Sequence, residues 1–268
     1  MTETVRIRIG NQTALSALSV MQPFEYAVAN RFDAFEWFPD KNESGAGWDE
    51  NNISKETRIF IRDTAIAADI RLSVHAPWQL NPLRAGYLER LSAIIAFAQD
   101  TGASLLNIHF YADEGVSAFA DAIVPLMERL AHEGIKLAIE NTPVTGPEQF
   151  NELFSRLHSL NNAAHVGMCL DIGHANLCNA TRNDYLKFVD MLDPHVPVLH
   201  IHMHENFGDN DSHLPFFTGP AGKNPAGIRG LIDRMKNRNF SGCIILEQWP
   251  HPESLLIEIR TRLLEIIG

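Results

Sequence analysis

Short apolar runs rich in β-branched residues alternate with helix-like segments along almost the whole chain. A run of this kind that ends in Gly, Pro, Asn or Asp is typical of a strand that enters a loop. Eight runs fit this description: Val5–Gly10, Ala34–Phe38, Arg71–His75, Ser104–Phe110, Lys136–Glu140, Val166–Asp171, Val198–His204 and Cys243–Glu247. Three further segments have the apolar spacing of an amphipathic helix: Tyr87–Thr101, Phe119–His132 and Pro252–Ile267. This alternation predicts a parallel sheet whose strands are connected by helices.

The number of strand–helix units limits the architecture further. Eight units in 268 residues match a (β/α)8 TIM barrel, and near-continuous apolar strands such as LLNIHF suit a sheet covered on both faces. A doubly wound open sheet is the alternative, but it usually carries a glycine-rich phosphate-binding turn after its first strand, and GNQTALSALS contains no such turn. The chain has no evident linker or low-complexity segment. We therefore predict an α/β fold, a single (β/α)8 barrel domain over residues 1–268.

The charge balance and the cysteine content bear on the setting and the partners. The chain has 22 Lys and Arg against 33 Asp and Glu, and the net charge of −11 disfavours nucleic acid and anionic membranes while leaving room for a local basic groove. The opening MTETVRIRIG lacks the pattern of a signal peptide, and no apolar run approaches the length of a membrane span. Three scattered cysteines do not suggest a disulfide framework. We expect a cytoplasmic protein without a membrane partner, and a homo-oligomer is left open.

Residues that can bind metal follow the predicted strands in a regular way. Strands three to eight each deliver an imidazole or a carboxylate at the carboxyl end or in the loop just beyond it: His75, His109, Glu140, Asp171, His174, His202, Asp211, His213 and Glu247. In a closed barrel these ends meet at one rim, where barrel enzymes keep their active sites. A carboxylate behind an apolar run, such as Glu140 in KLAIENTP, is costly to bury unless it is paired or bound to metal.

This mixture of imidazole and carboxylate predicts the kind of ion. It suits zinc, manganese, iron or cobalt better than magnesium or calcium, which prefer oxygen ligands. We predict a divalent metal cofactor, with at least one ion and as many as three. His200 and His204 lie on the same side of the strand as His202, and either could orient a ligand.

Other rim residues are candidates to contact a substrate. Glu36, in FEWFPD at the end of the second strand, could touch substrate or hydrogen-bond its own loop. Four aromatic residues follow predicted strands and could wall a closed pocket for a small polar molecule: Trp37, Trp78, Phe216 and Trp249. The alternative is that these rings only plug the top of the barrel.

The order of the motifs resembles a known family. HAPW, ENTP, LDIGHAN, the H-x-H-E-N…D-x-H loop and LEQW, between about residues 34 and 250, resemble the xylose isomerase-like TIM barrel superfamily. This superfamily joins sugar isomerases and epimerases with the endonuclease IV family of abasic-site nucleases (AP endonuclease family 2). The resemblance implies a TIM barrel with a metal-dependent activity.

The two branches of that superfamily imply different metal centres. Its mononuclear isomerases and epimerases hold one ion with residues that match Glu140, Asp171, His202 and Glu247. Its nucleases hold three zinc ions with nine ligands, and all nine have matches in this chain, which are the nine residues given above. The ketose 3-epimerases carry a substrate-binding arginine after the seventh strand, where this chain has the acidic segment Asn206–His213.

The sequence therefore leaves several functions open, with one preferred. The preferred function is a divalent-metal isomerase or epimerase of a sugar, sugar phosphate or polyol, in which the ion would stabilise an enediolate. Glu140 and Glu247 would move the proton. His174 would hydrogen-bond a substrate oxygen if it is not a ligand. The alternatives are a multinuclear hydrolase of the endonuclease IV type, a multi-iron oxygenase on the same ligands, and a barrel without catalysis. Rim loops such as YADEG, with little positive charge, disfavour the nuclease.

Overall fold

Eight parallel strands form a closed barrel in the computed structural model, which describes residues 6–41 and 44–268. The strands pair in chain order, and the last strand pairs with the first. The strands are β1 Arg8–Gln12, β2 Ala34–Trp37, β3 Arg71–His75, β4 Leu105–His109, β5 Lys136–Glu140, β6 Val166–Asp171, β7 Val198–Met203 and β8 Cys243–Leu246. The (β/α)8 barrel expected from the sequence is thus confirmed.

Ten α-helices surround or flank the strands in the described part of the chain. They are α1 Gln22–Ala29, α2 Lys55–Ala67, α3 Tyr87–Thr101, α4 Val116–His132, α5 Pro147–Leu157, α6 Ile172–Leu177, α7 Tyr185–Met191, α8 Pro220–Lys223, α9 Ala226–Asn237 and α10 Ser254–Ile267. The predicted helix Tyr87–Thr101 has the predicted bounds, because glycines at 86 and 102 adopt left-handed conformations on either side of it. Among the described residues, no helix is both long and apolar enough to cross a membrane.

The first strand differs most from its prediction. The strand predicted over Val5–Gly10 lies at Arg8–Gln12, and Val5 falls outside the described residues. The prediction followed the apolar residues and so ended the strand too early. Asn11 is a polar residue that is nevertheless buried in the strand, and its side-chain amide donates to the carbonyl of Pro23 at 3.2 Å. Gly10 is needed at this point, since a Cβ atom there would lie 2.2 Å from the carbonyl oxygen of Ala34 on β2.

The apolar core lies mainly between the strands and the helices. Trp37 is fully buried in this outer layer, with its ring 5.5 Å from that of Phe24 and 5.8 Å from that of Phe97. Inside the barrel the apolar residues are mostly smaller and form two separate clusters, Ala34 with Cys243 and Ile245, and Leu105 with Ala138 and Cys169. The carboxyl half of the interior is occupied by polar side chains, which form the site described next.

Candidate metal centre

The structure brings all nine predicted ligands together at the carboxyl end of the barrel. Glu140, at the end of β5, is the hub of one group and is almost completely buried. Its Oε2 atom lies 2.9 Å from Nε2 of His75 and 3.3 Å from Nδ1 of His202. Its Oε1 atom lies 3.6 Å from Nε2 of His109 and 3.4 Å from Nδ1 of His174. Three strands (β3, β4 and β7) and helix α6 thus place imidazoles around one carboxylate.

A second group forms around the loop that follows β7. Oδ2 of Asp211 lies 3.1 Å from Nε2 of His174 and 3.3 Å from Nε2 of His213. The ring of His204 stacks on that of His213 at 3.9 Å, and its Nε2 atom is 3.2 Å from Oδ2 of Asp171. These atoms make His174, His204, Asp211 and His213 one candidate set of ligands. His204 was expected only to orient a ligand, although its position two residues after His202 already places it on the same side of the strand.

Glu247 connects the two groups. Its Oε1 atom is 3.1 Å from Nδ1 of His202, and its Oε2 atom is 3.8 Å from Nε2 of His204 and 4.0 Å from Nδ1 of His213. Asp171 also belongs to both, because it contacts His204 and lies in one donor set with Glu140 and His174. The donors therefore form one continuous cluster.

The donor atoms fit a divalent cation. Nδ1 of His109, Nδ1 of His202 and Oε2 of Glu247 are buried and have no hydrogen-bond partner in the described structure. Ligands around one zinc or manganese ion at about 2.0–2.2 Å are roughly 3–4 Å from one another, which is the spacing seen here. The described ion pairs of Glu140 and Glu247 are with histidines and not with Lys or Arg. A cation would neutralise this concentration of buried negative charge.

The pKa values describe the site without a metal. Burial lowers the pKa of His109 to about 4, so that its imidazole is neutral and available as a ligand at neutral pH. Burial also disfavours charge on His202 and His174, but the surrounding carboxylates outweigh it and raise both pKa values well above normal. Burial also lowers the pKa of His213, but the hydrogen bond to Asp211 outweighs it and raises this pKa to about 9. Protons thus occupy positions that a metal ion would take.

Two contacts fix the orientation of the His174 side chain. Its Nδ1 atom is 2.8 Å from the carbonyl oxygen of Asn141, and its backbone N–H donates to Oδ1 of Asp171 at 2.7 Å. An Nδ1–H donated to this carbonyl leaves the lone pair on Nε2, which faces Asp211. Both ring nitrogens are thus engaged, so the described geometry suits a metal ligand better than a donor to substrate.

Glu36 does not reach the rim, which corrects the expectation that it contacts substrate. Its side chain is fully buried between the levels of His200 and His202. Oε2 accepts a hydrogen bond from Oγ of Ser73 at 2.8 Å and is 3.0 Å from Nε2 of His200. Oε1 is 2.8 Å from Nε2 of His202. Glu36 therefore favours the proton on Nε2 of His202 and leaves Nδ1 to face Glu140 and Glu247.

The aromatic residues do not wall one pocket in the way predicted. Trp37 follows the inward-facing Glu36 and so points outward, into the core beneath the helices, which corrects its assignment to a substrate pocket. Trp78 is 63% exposed, whereas Trp249 is half-buried against Tyr26. Phe216 is buried and lines a cavity of about 290 Å³ that also borders His204. Trp78 is thus the most accessible of the four rings.

Two cationic side chains in the loops that follow β2 and β3 have acidic partners. Arg84 forms ion pairs of 2.7 Å with both Asp113 and Glu114, and Lys41 forms one of 2.7 Å with Asp49. These charges are therefore already neutralised. Neither of these two side chains is therefore free to pair with a phosphate backbone.

A comparison with protein families agrees with this architecture. The family model for xylose isomerase-like TIM barrels matches residues 24–265. The chain belongs to this family. The uncharacterized protein MJ1311 of Methanocaldococcus jannaschii is 26% identical to this family member over 218 residues, which cover 73% of this chain and 70% of that protein.

Solved structures that are similar to this xylose isomerase-like barrel include sugar epimerases. A D-tagatose 3-epimerase-like protein is similar with a TM-score of 0.75 and 22% identity, over 97% of this chain and 98% of the other. L-Ribulose 3-epimerase is similar with a TM-score of 0.69 and 15% identity, over 98% of this chain and 95% of the other. At these identities the likeness supports the fold.

Proposed function

We propose that this xylose isomerase-like protein is a divalent-metal-dependent isomerase or epimerase of a small sugar or polyol. The observation that carries the proposal is the placement of two carboxylates beside one imidazole atom. Oε2 of Glu140 and Oε1 of Glu247 lie 3.3 Å and 3.1 Å from Nδ1 of His202. The similarity to proteins described as sugar epimerases supports the same class of substrate.

Four residues would hold the catalytic ion: Glu140, Asp171, His202 and Glu247. A divalent ion bound there supplies a Lewis acid that polarises a substrate carbonyl. The Nε2 atom of His202 lies 2.8 Å from Oε1 of Glu36, which leaves Nδ1 of the same ring to face the ion. Manganese, zinc, iron and cobalt all suit this donor set.

The two glutamates would perform the proton transfer. Glu140 ends β5 and Glu247 follows β8, so that they approach the rim from different sides of the barrel. One carboxylate would remove the proton from the carbon next to the substrate carbonyl, and the other would return a proton to the opposite face or to the neighbouring carbon. Oε2 of Glu247 is buried and has no hydrogen-bond partner in the described structure, which suits it to accept this proton.

Solvent exchange tests this chemistry directly. The protein is stripped of metal, reloaded with Mn²⁺ and incubated in D2O with a panel of free ketopentoses and ketohexoses. We expect NMR to detect deuterium at the carbon next to the carbonyl, together with an isomer or epimer. Glu247→Gln should abolish exchange, whereas Glu152→Gln, at an exposed position on α5, should not. Failure of the metal-loaded protein to exchange any of these substrates would contradict the proposal.

A multinuclear hydrolase is the second candidate, and one observation favours it. A second set of donor atoms, which does not include His202, could hold a further ion. This set consists of His174, His204, Asp211 and His213. Two neighbouring ions are typical of enzymes that cleave phosphodiesters. The metal-loaded protein should then cleave an abasic-site oligonucleotide, an activity that the preferred function does not include.

A further inference from the structure

The amino end of the barrel, opposite the metal centre, is strongly basic. A cavity of about 900 Å³ opens there, although the chain as a whole has a net charge of −11. Its lining includes five cationic residues: Arg6, Arg8, Arg71, Lys136 and Arg238. Asp69 is the acidic residue of this lining. We call this cavity the basic mouth.

Three of these cations begin strands and point toward the barrel axis. Arg8, Arg71 and Lys136 are the first residues of β1, β3 and β5. Alternation along a strand puts Arg71 on the same side as Ser73, whose hydroxyl donates to Glu36 inside the barrel. It likewise puts Lys136 on the side of Glu140. Closure of the barrel therefore places three positive charges around one cavity.

Arg71 and Lys136 lack a neutralising partner in the described structure. Arg8 forms an ion pair of 2.9 Å with Asp69, and Arg238 donates to backbone carbonyls, including that of Val196 at 3.4 Å. Arg71, in contrast, donates to the carbonyl of Ser241 at 3.3 Å and forms no ion pair with a described residue. The ammonium group of Lys136 has neither a hydrogen bond nor an ion pair within residues 6–41 and 44–268. The basic mouth thus presents two unpaired cations next to an acid that is already paired.

We propose that the basic mouth binds a phosphate-bearing small metabolite through Arg71 and Lys136. A guanidinium fork and an ammonium group together are well suited to phosphate oxygens. A volume of about 900 Å³ lies within the range of pockets for organic ligands and leaves room for more than the phosphate. The hydroxyl of Ser104 also lines the cavity and could contact the polar remainder of the ligand.

This site is separate from the metal centre. His200 lines the basic mouth on the side of the metal centre, and its Nε2 atom lies 3.0 Å from Oε2 of Glu36. Glu36 in turn lies between His200 and the ligand His202. An anion in the basic mouth is thus excluded from the metal by buried side chains.

Binding is measured on protein treated with EDTA, so that phosphate cannot bind to metal. Isothermal titration calorimetry uses inorganic phosphate, glucose 6-phosphate and uncharged glucose. We expect saturable binding of one molecule per chain for both phosphates, tighter for glucose 6-phosphate, and no binding of glucose. Affinity should fall as salt increases, because the cations are exposed. Absence of saturable phosphate binding would overturn the proposal, and equal affinity for the two phosphates would overturn its organic part.

Single substitutions locate the site. Arg71→Met and Lys136→Met should each weaken binding about tenfold or more, as expected for loss of a charge-assisted hydrogen bond. Lys136→Arg should retain binding, and Lys55→Met, at an exposed position on α2, should bind like the original chain. Circular dichroism and Tm report whether each variant is folded. Unchanged binding in both folded Met variants would show that the anion binds elsewhere.

Discussion

Glu36→Gln tests how the buried interior controls the proposed metal centre. The substitution keeps the shape of the side chain but removes its charge and one of its two acceptor oxygens. In the structure one oxygen faces Nε2 of His202 at 2.8 Å, and the other serves Ser73 and His200 at 2.8 and 3.0 Å. A glutamine that keeps its carbonyl oxygen toward His202 must turn its N–H₂ toward Ser73 and His200, which then have to accept instead of donate. If its amide N–H₂ faces His202, the imidazole must accept there and carry its proton on Nδ1, where it can no longer bind metal.

The expected loss follows from that change of tautomer. Replacement of a group that orients a metal-bound histidine typically lowers metal affinity by about 10- to 100-fold, or about 1.4 to 2.8 kcal/mol. We expect a loss in this range for Glu36→Gln. The partial variant Ser73→Ala keeps the carboxylate beside His202 and should lose less. The matched control Glu152→Gln, at an exposed position, should bind metal normally.

The assay is a competition titration of Mn²⁺ or Zn²⁺ against a chromophoric chelator, with Tm measured on the same samples. Tm separates a loss of fold from a loss of affinity, since removal of a buried carboxylate also changes stability. Full metal affinity in a folded Glu36→Gln variant would refute the reasoning that Glu36 orients His202.

Three further predictions follow from the same geometry. The double variant Asp211→Ala/His213→Ala should keep the ion bound at Glu140, and loss of all metal, measured by inductively coupled plasma mass spectrometry, would instead indicate one interdependent cluster. Metal affinity should rise with pH between 6 and 8, by about tenfold per pH unit for each proton displaced. The reason is that carboxylates raise the pKa of His202 well above normal despite burial, so that a metal must displace a proton from this ring. A chelator titration that gives the same affinity at every pH would contradict this. Trp37→Ala should lower the free energy of unfolding by about 3–5 kcal/mol, because the ring lies in the outer core. The metal content per folded chain should not change. Loss of metal without loss of stability in urea unfolding would contradict that position.

The fold and the set of metal-capable residues could be predicted because both depend on local patterns. Apolar runs ended by loop residues located β3, β5 and β6 with their observed bounds. Once eight such strands close in parallel, their carboxyl ends must meet, so that residues as distant as His75 and Glu247 fall in one cluster. The clustering of these residues could therefore be predicted without knowing how their side chains pack.

The errors arose where a single residue decides which way a side chain points. The second strand was predicted to end at Phe38, and both Glu36 and Trp37 were assigned to the rim, but consecutive strand residues face opposite sides. Glu36 points inward and Trp37 outward. The contact of Glu36 with His200 joins residues 164 positions apart and depends on the stagger of the barrel, which a sequence pattern does not contain.

Anomalous diffraction from crystals loaded with Mn²⁺ tests the central claim most directly, because it locates the ion and needs no substrate. We predict a strong peak within about 2.0–2.2 Å of ligand atoms from Glu140, Asp171, His202 and Glu247, with Nδ1 as the donor atom of His202. A peak confined to Asp211 and His213, or no peak at Glu140 in crystals grown with saturating Mn²⁺, would contradict the account.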